Sequence, residues 1–143
     1  LMKIGLYSEL ARKPHIEIRH EISQKDIGTG DTKMKHFRDL IIKSNKNHHK
    51  LIRSRSDFYS LSELRDLLFH VQEHRFTIAL IKDYLDKLEL SFCGFETKKI
   101  LSHFKLSNNL KEDPYNLLKW QIYEEANPRA FSGMYQFWCQ KTL

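Results

Sequence analysis

The chain has 143 residues, of which 41% are hydrophobic and 29% are charged, and its net charge is +6. These values suit one folded domain and exclude a disordered composition, and no apolar run reaches the roughly 20 residues of a membrane-spanning helix. The basic charge permits nucleic-acid or other anionic partners, although the lysines and arginines are spread along the chain. The two cysteines, Cys93 and Cys139, lie in apolar segments, which predicts buried reduced thiols and a cytoplasmic location.

The first 42 residues predict a strand followed by helices. Residues 1–8 alternate in the way of a strand, and Pro14 is suited to the first turn of a helix that carries Ile18 and Ile22 on one side. The turn "DIGTGD", 26–31, separates this helix from a second one at 31–42. Either Asp31 or Thr32 is the predicted cap of that second helix, and its apolar stripe contains Met34, Phe37 and Ile41.

A basic segment follows, "KSNKNHHKLIRSR" at 43–55. It predicts a solvated loop, with a phosphate-contacting patch as the alternative. After it, residues 59–70 predict a helix, because Ser60 and Glu63 have the spacing of a capping box.

The second half of the chain alternates between helices and strands. The predicted elements are a helix at 75–88, a strand at 89–96, helices at 97–106 and 113–128, and a strand at 133–141. Thr77 is the predicted cap of the first of these helices, and Asp113 with Pro114 opens the last one. Strands that are few and separated by helices favour a layered α/β architecture.

The motif "HVQEH" at residues 70–74 fits the zinc-peptidase pattern H-x-x-E-H, in which two histidines and a glutamate share a helical face. A zinc site of this kind also needs a third ligand elsewhere, and the sequence does not identify one. Two other interpretations stay open: a helix end with solvated histidines, or a non-metal role in holding a substrate. No metal is therefore assigned to His70 and His74.

Three segments together resemble a known family. "LMKIGLYSELAR", "DFYSLSELRDLLFHVQEHRFT" and "NPRAFSGMYQFWCQK" are similar to the C-terminal half of class I S-adenosylmethionine-dependent methyltransferases, in a bacterial subgroup often fused to tetratricopeptide repeats. The resemblance implies an α/β fold with a partial Rossmann-like methyltransferase sheet of about three strands. Residues 2–8, 89–94 and 133–141 would be the fifth, sixth and seventh strands, and the last would be antiparallel and central.

The resemblance also implies how the chain is organised and what it lacks. We expect a single domain, 1–143, made of a sheet strand at 1–8, a large helical insertion on the acceptor side at 9–75, and the C-terminal sheet and helices at 76–143. Leu1 precedes Met2, and the four strands that carry the glycine-rich loop are missing, so we expect a fragment of a longer parent. The parent would use S-adenosylmethionine, whereas the fragment alone would bind no cofactor and transfer no methyl group.

The expected site residues follow from that placement. His70 and Glu73 are the catalytic candidates, and Tyr59, His74 and Arg75 are the candidates for binding the substrate. The expected partners are the missing N-terminal half, a methyl acceptor of unknown identity, and a second copy of the chain at the open edge of strand 2–8; no membrane is expected. Two alternative functions stay open: a basic helical module that binds nucleic acid or protein, and a small zinc hydrolase.

Overall fold

The computed structural model describes residues 1–69, 72–107 and 113–142. It is a mixed α/β protein with an open four-stranded mixed sheet, and the described residues form seven α-helices. The chain divides into two compact units. The sheet unit comprises Leu1–Arg12 and His74–Leu143, and the helical unit comprises Lys13–Glu73.

The sheet has the order β2-β1-β4-β3. Its strands are β1 (Met2–Ser8), β2 (Arg75–Phe76), β3 (Leu90–Phe95) and β4 (Tyr135–Lys141). Because β4 pairs antiparallel with both β1 and β3, those two strands run parallel to each other. The expected order of the segments 2–8, 133–141 and 89–94 is therefore present. The expected number of strands is wrong by one, because β2 also pairs, in parallel, with the last two residues of β1.

The helical unit contains four helices, α1 (Lys13–Gln24), α2 (Asp31–Lys43), α3 (Asn47–Arg53) and α4 (Leu61–Leu64). A short 3-10 turn precedes α4 and a π-helical turn, Arg65–Phe69, follows it. The core of this unit consists of apolar side chains from all four helices and both turns: Ile18, Ile22, Phe37, Ile41, Ile52, Phe58, Leu64, Leu67 and Leu68. The loop predicted for residues 43–55 is wrong over α3. Ile52 is only 1% exposed, and such tertiary packing stabilises a helix too short to form alone.

Helix starts in this unit follow the sequence signals in part. Ser60 caps α4 as predicted, since its side chain accepts a hydrogen bond from the Glu63 backbone N–H. The predicted cap of α2 is wrong, because Gly30 occupies that position and makes no side-chain bond. Asp31 instead accepts a hydrogen bond from Arg65, 2.9 Å away.

The sheet unit adds α5 (Ile78–Lys87), α6 (Lys98–Ser107) and α7 (Leu117–Ala126). Thr77 caps α5 as predicted, and its Oγ1 accepts from the Leu80 backbone N–H at 3.1 Å. Two helix starts were predicted too early. Residues 75–76 form β2, and α7 begins after an Asn116 cap because the Asp113 carboxylate closes a turn onto the Tyr115 N–H instead.

An aromatic core holds α6 and α7 against the sheet. Trp120 of α7 is fully buried, stacks on Phe104 of α6 at 3.9 Å and meets Phe95 of β3 edge-on at 4.9 Å. Phe137 of β4 contacts the same Phe95 ring. Such contacts fix the neighbouring residues of α7 relative to the strand ends.

Candidate functional site

The carboxyl ends of β1 and β3 lie at the same end of the sheet as the start of β4. β1 ends at Ser8, β3 ends at Phe95, and the antiparallel β4 begins at Tyr135. In open α/β sheets, ligands bind outside the carboxyl ends of the parallel strands. A site of the sheet unit is therefore expected at this end of the sheet.

A buried polar network joins α7 to this end of the sheet. Ser8 Oγ donates a hydrogen bond to Glu124 Oε1 at 2.5 Å, and Tyr135 Oη contacts the same carboxylate at 2.8 and 2.7 Å. All three residues are buried, and burial raises the pKa of Glu124 and that of Tyr135. Because none of them is open to a ligand, the network serves to tie β1, β4 and α7 together.

Tyr123, the residue before Glu124, projects towards a groove of about 880 Å³. Its hydroxyl lies 2.6 Å from His103 Nδ1 of α6, and burial raises the pKa of Tyr123. Lys99 and Arg129 add positive charge to the groove. The remaining lining residues are Thr97, Ile100, Ser102, Leu106, Asn127, Pro128, Ala130 and Ser132.

The groove has the groups to bind a polar molecule and to take a proton from it. Histidine and tyrosine are both residue types that transfer protons in catalysis, and His103 is exposed to solvent. The charges of Lys99 and Arg129 favour a ligand with anionic groups. The groove is therefore the candidate functional site of the sheet unit.

Residues 72–74 of the motif HVQEH have no helical structure. The π-helical turn is described as far as Phe69, and His70 and Val71 lie outside the described residues. The Glu73 carboxylate is 5% exposed and accepts from Arg19 at 3.0 Å. Arg19 also donates to the Leu67 carbonyl oxygen at 2.9 Å. Arg19 of α1 therefore binds both the π-helical turn and Glu73.

The other predicted site residues are divided between the two units. Tyr59 is 58% exposed in the helical unit, and its hydroxyl donates to the Arg53 carbonyl oxygen at 2.9 Å. His74 is exposed and Arg75 belongs to β2, both in the sheet unit. The assignment of His70 and Glu73 to catalysis, and of Tyr59, His74 and Arg75 to substrate binding, stays a prediction.

Sequence reasoning missed the residues of the buried polar network and of the groove. Ser8, His103 and Tyr123 belong to no recognisable motif. Glu124 did carry a signal, because it follows Leu117 and Trp120 at helical spacing and so had to lie on the apolar face of α7. A glutamate on such a face needs hydrogen-bond partners.

No protein-family model matches the chain, and no curated protein matches it. Among the described residues, no helix is long and apolar enough to cross a membrane.

Proposed function

We propose that the chain is the acceptor-side C-terminal portion of a class I S-adenosylmethionine-dependent methyltransferase. The supporting observation is the strand order β1-β4-β3, in which the last strand of the chain lies antiparallel between two parallel strands. The family resemblance implies this order for its fifth, seventh and sixth strands. Strands that follow each other in sequence are usually neighbours in a sheet, so the insertion of β4 between β1 and β3 is informative.

The free edge of β1 also supports the proposal. β2 pairs only with Tyr7 and Ser8, so among the described residues nothing pairs with that edge from Met2 to Leu6. An apolar hollow of about 250 Å³ lies beside β1. Tyr84 of α5 and Leu88, which follows α5, line this hollow and are largely exposed. In the proposed fold, the fourth strand and its helix would cover this surface, since open apolar strand edges recruit partners.

The described residues do not fit S-adenosylmethionine. A cofactor of this type is held by a glycine-rich loop that follows a buried strand. The only such sequence, DIGTGD, follows α1 and leads into α2, so it belongs to a connection between helices. The proposed contribution of this chain is therefore the acceptor side, for which each unit offers a separate candidate. These are the groove at His103 and Tyr123 in the sheet unit, and the predicted residues His70 and Glu73 in the helical unit.

The test compares this chain with the protein encoded by the complete reading frame. Both are titrated with S-adenosylmethionine in a calorimeter. We expect one cofactor to bind per longer protein and none to bind to this chain. A longer protein that binds no cofactor would contradict the proposed function, and binding by this chain alone would contradict the assignment to the acceptor side.

The position of the acceptor site is tested in the longer protein. Transfer of a radiolabelled methyl group to components of a cell extract is compared for Tyr123→Phe, His70→Ala and the exposed control His36→Ala. Loss of a general acid or base lowers the rate by about 10²–10⁴-fold, and cofactor affinity should not change. Loss only in His70→Ala would place the acceptor at HVQEH, and normal transfer in both variants would exclude both positions.

A further inference from the structure

The helical unit contains a cluster of metal-ligating side chains that the proposed function does not use. Glu21 of α1 faces His48 and His49 of α3, and one potential ligand atom from each lies within 4.8 Å of the others. His48 Nε2 is 2.7 Å from Glu21 Oε1, and His49 Nε2 is 3.1 Å from Glu21 Oε2. The three donors therefore already converge on one point without a metal.

We propose that Glu21, His48 and His49 bind a single divalent transition-metal ion of the zinc class. Two imidazole nitrogens and one carboxylate are a ligand set found in zinc sites that keep a fourth position for water. Imidazole suits zinc and its neighbours in the first transition series, whereas magnesium and calcium select oxygen ligands. The fourth position would be open to water, because the cluster lies partly at the surface.

The distances fit a metal with a small adjustment. In a tetrahedral site with bonds of roughly 2.0–2.1 Å, ligand atoms are about 3.3 Å apart. The hydrogen-bonded separations of 2.7 and 3.1 Å, which end on different oxygens of Glu21, need to open by a few tenths of an ångström, and all ligand atoms lie within 4.8 Å of one another. The metal would replace the proton that each Nε2 now shares with Glu21, and rotation of the side chains supplies the rest.

Glu17 completes the arrangement from outside. It lies one helical turn before Glu21 on α1, and its Oε2 is 2.9 Å from His48 Nδ1. Histidine ligands in metal sites usually donate their second N–H to a carboxylate, which fixes the ring and raises its basicity. Because Glu17 holds Nδ1, Nε2 of His48 is the nitrogen directed at the proposed site.

The ring of His49 is buried beside Glu21. Its side chain is 6% exposed, and its Nδ1 has no hydrogen-bond partner among the described residues. Burial therefore holds the ring in place, with Nε2 as the nitrogen that faces the Glu21 carboxylate.

Lys46 supplies the positive charge beside Glu21 when no metal is bound. Its ammonium group lies 2.9 Å from Glu21 Oε1, and its side chain is 55% exposed, so it can move into solvent. A metal bound at Glu21 would therefore compete with Lys46 for the carboxylate.

The experiment measures zinc binding to the tag-free chain by calorimetry after treatment with a chelator. Cobalt(II) is used in parallel, because its visible absorption reports tetrahedral coordination. We expect one zinc per chain. Glu17→Gln should weaken binding by about 10–100-fold, the usual effect of losing an outer carboxylate, and Glu21→Gln should weaken it further. Lys46→Met should strengthen binding, because the competing cation is removed.

His36→Ala is the matched control, since His36 is an exposed histidine of the same unit. It should leave the zinc affinity unchanged. Circular dichroism checks that each variant is folded, and Glu17→Gln and Lys46→Met keep all three ligands if Glu21→Gln unfolds. Absence of saturable zinc binding, a loss in His36→Ala as large as in Glu17→Gln, or weaker binding in Lys46→Met would overturn the proposal.

Discussion

Removal of the Glu73 carboxylate should destabilise the helical unit. In the wild type, Glu73 is 5% exposed and receives a hydrogen bond from Arg19, whose side chain is 18% exposed. Breaking a fully buried ion pair costs about 3–5 kcal/mol, and an exposed pair contributes at most about 1 kcal/mol. Because Arg19 keeps some contact with water and retains its bond to the Leu67 carbonyl oxygen, we expect Glu73→Gln to lower the free energy of unfolding by about 2 kcal/mol.

The assay is urea denaturation at neutral pH, followed by fluorescence and circular dichroism. A double-mutant cycle with Arg19→Met isolates the coupling between the two side chains, and His74→Ala is the control because His74 is exposed. A coupling energy below about 0.5 kcal/mol would refute the structural role of the pair. In that case a functional role for the glutamate of HVQEH would gain weight.

Three further predictions concern the sheet unit. Ser8→Ala should lower the free energy of unfolding by about 1–3 kcal/mol in urea denaturation, because the buried Glu124 loses one donor. The raised pKa of Glu124 means that the folded state binds more protons, so its contribution to stability is complete at low pH and is lost as pH rises through the folded-state pKa. The difference in unfolding free energy between wild type and Glu124→Gln, measured from pH 4 to pH 8, should therefore change in favour of the variant as pH rises; the opposite slope would contradict the raised pKa. Gly94→Ala should cost about 1–2 kcal/mol in thermal unfolding, because Gly94 has φ +107°, whereas Gly133→Ala, in open space, should have little effect.

Strands β1, β3 and β4 were predictable because their residues carry local signals. β3 and β4 are rich in aromatic residues, and helices with their own start signals surround them. β2 was not predictable, since two residues next to a helix cap have no periodicity and pair only because β1 lies alongside. Helix α3 was not predicted, because its charged residues suggested a loop. It is stabilised by burial of Ile52 among residues that are distant in sequence.

The candidate sites show the same division. Glu73 was selected from a motif, but its partner Arg19 is 54 residues away, and no local pattern indicates such a pair. Glu21 and the two histidines of α3 are likewise brought together by helix packing. The residue types alone indicate which groups each side chain offers, whereas the proximity of these side chains depends on the tertiary structure.

The last prediction concerns which part of the chain zinc stabilises. A ligand that binds only the folded state stabilises it by about 2.7 kcal/mol at a concentration of 100 times its Kd. The proposed ligands join α1 to α3, a helix of only seven residues whose N-cap makes no side-chain hydrogen bond. Zinc should therefore slow amide hydrogen exchange in α3 and the facing turns of α1. Amides of β4, which belong to the other unit and its separate core, should exchange at the same rate with and without zinc. Equal protection of β4 and α3 would mean that zinc acts on the whole chain, and unchanged exchange in α3 at saturating zinc would mean that the ion binds elsewhere.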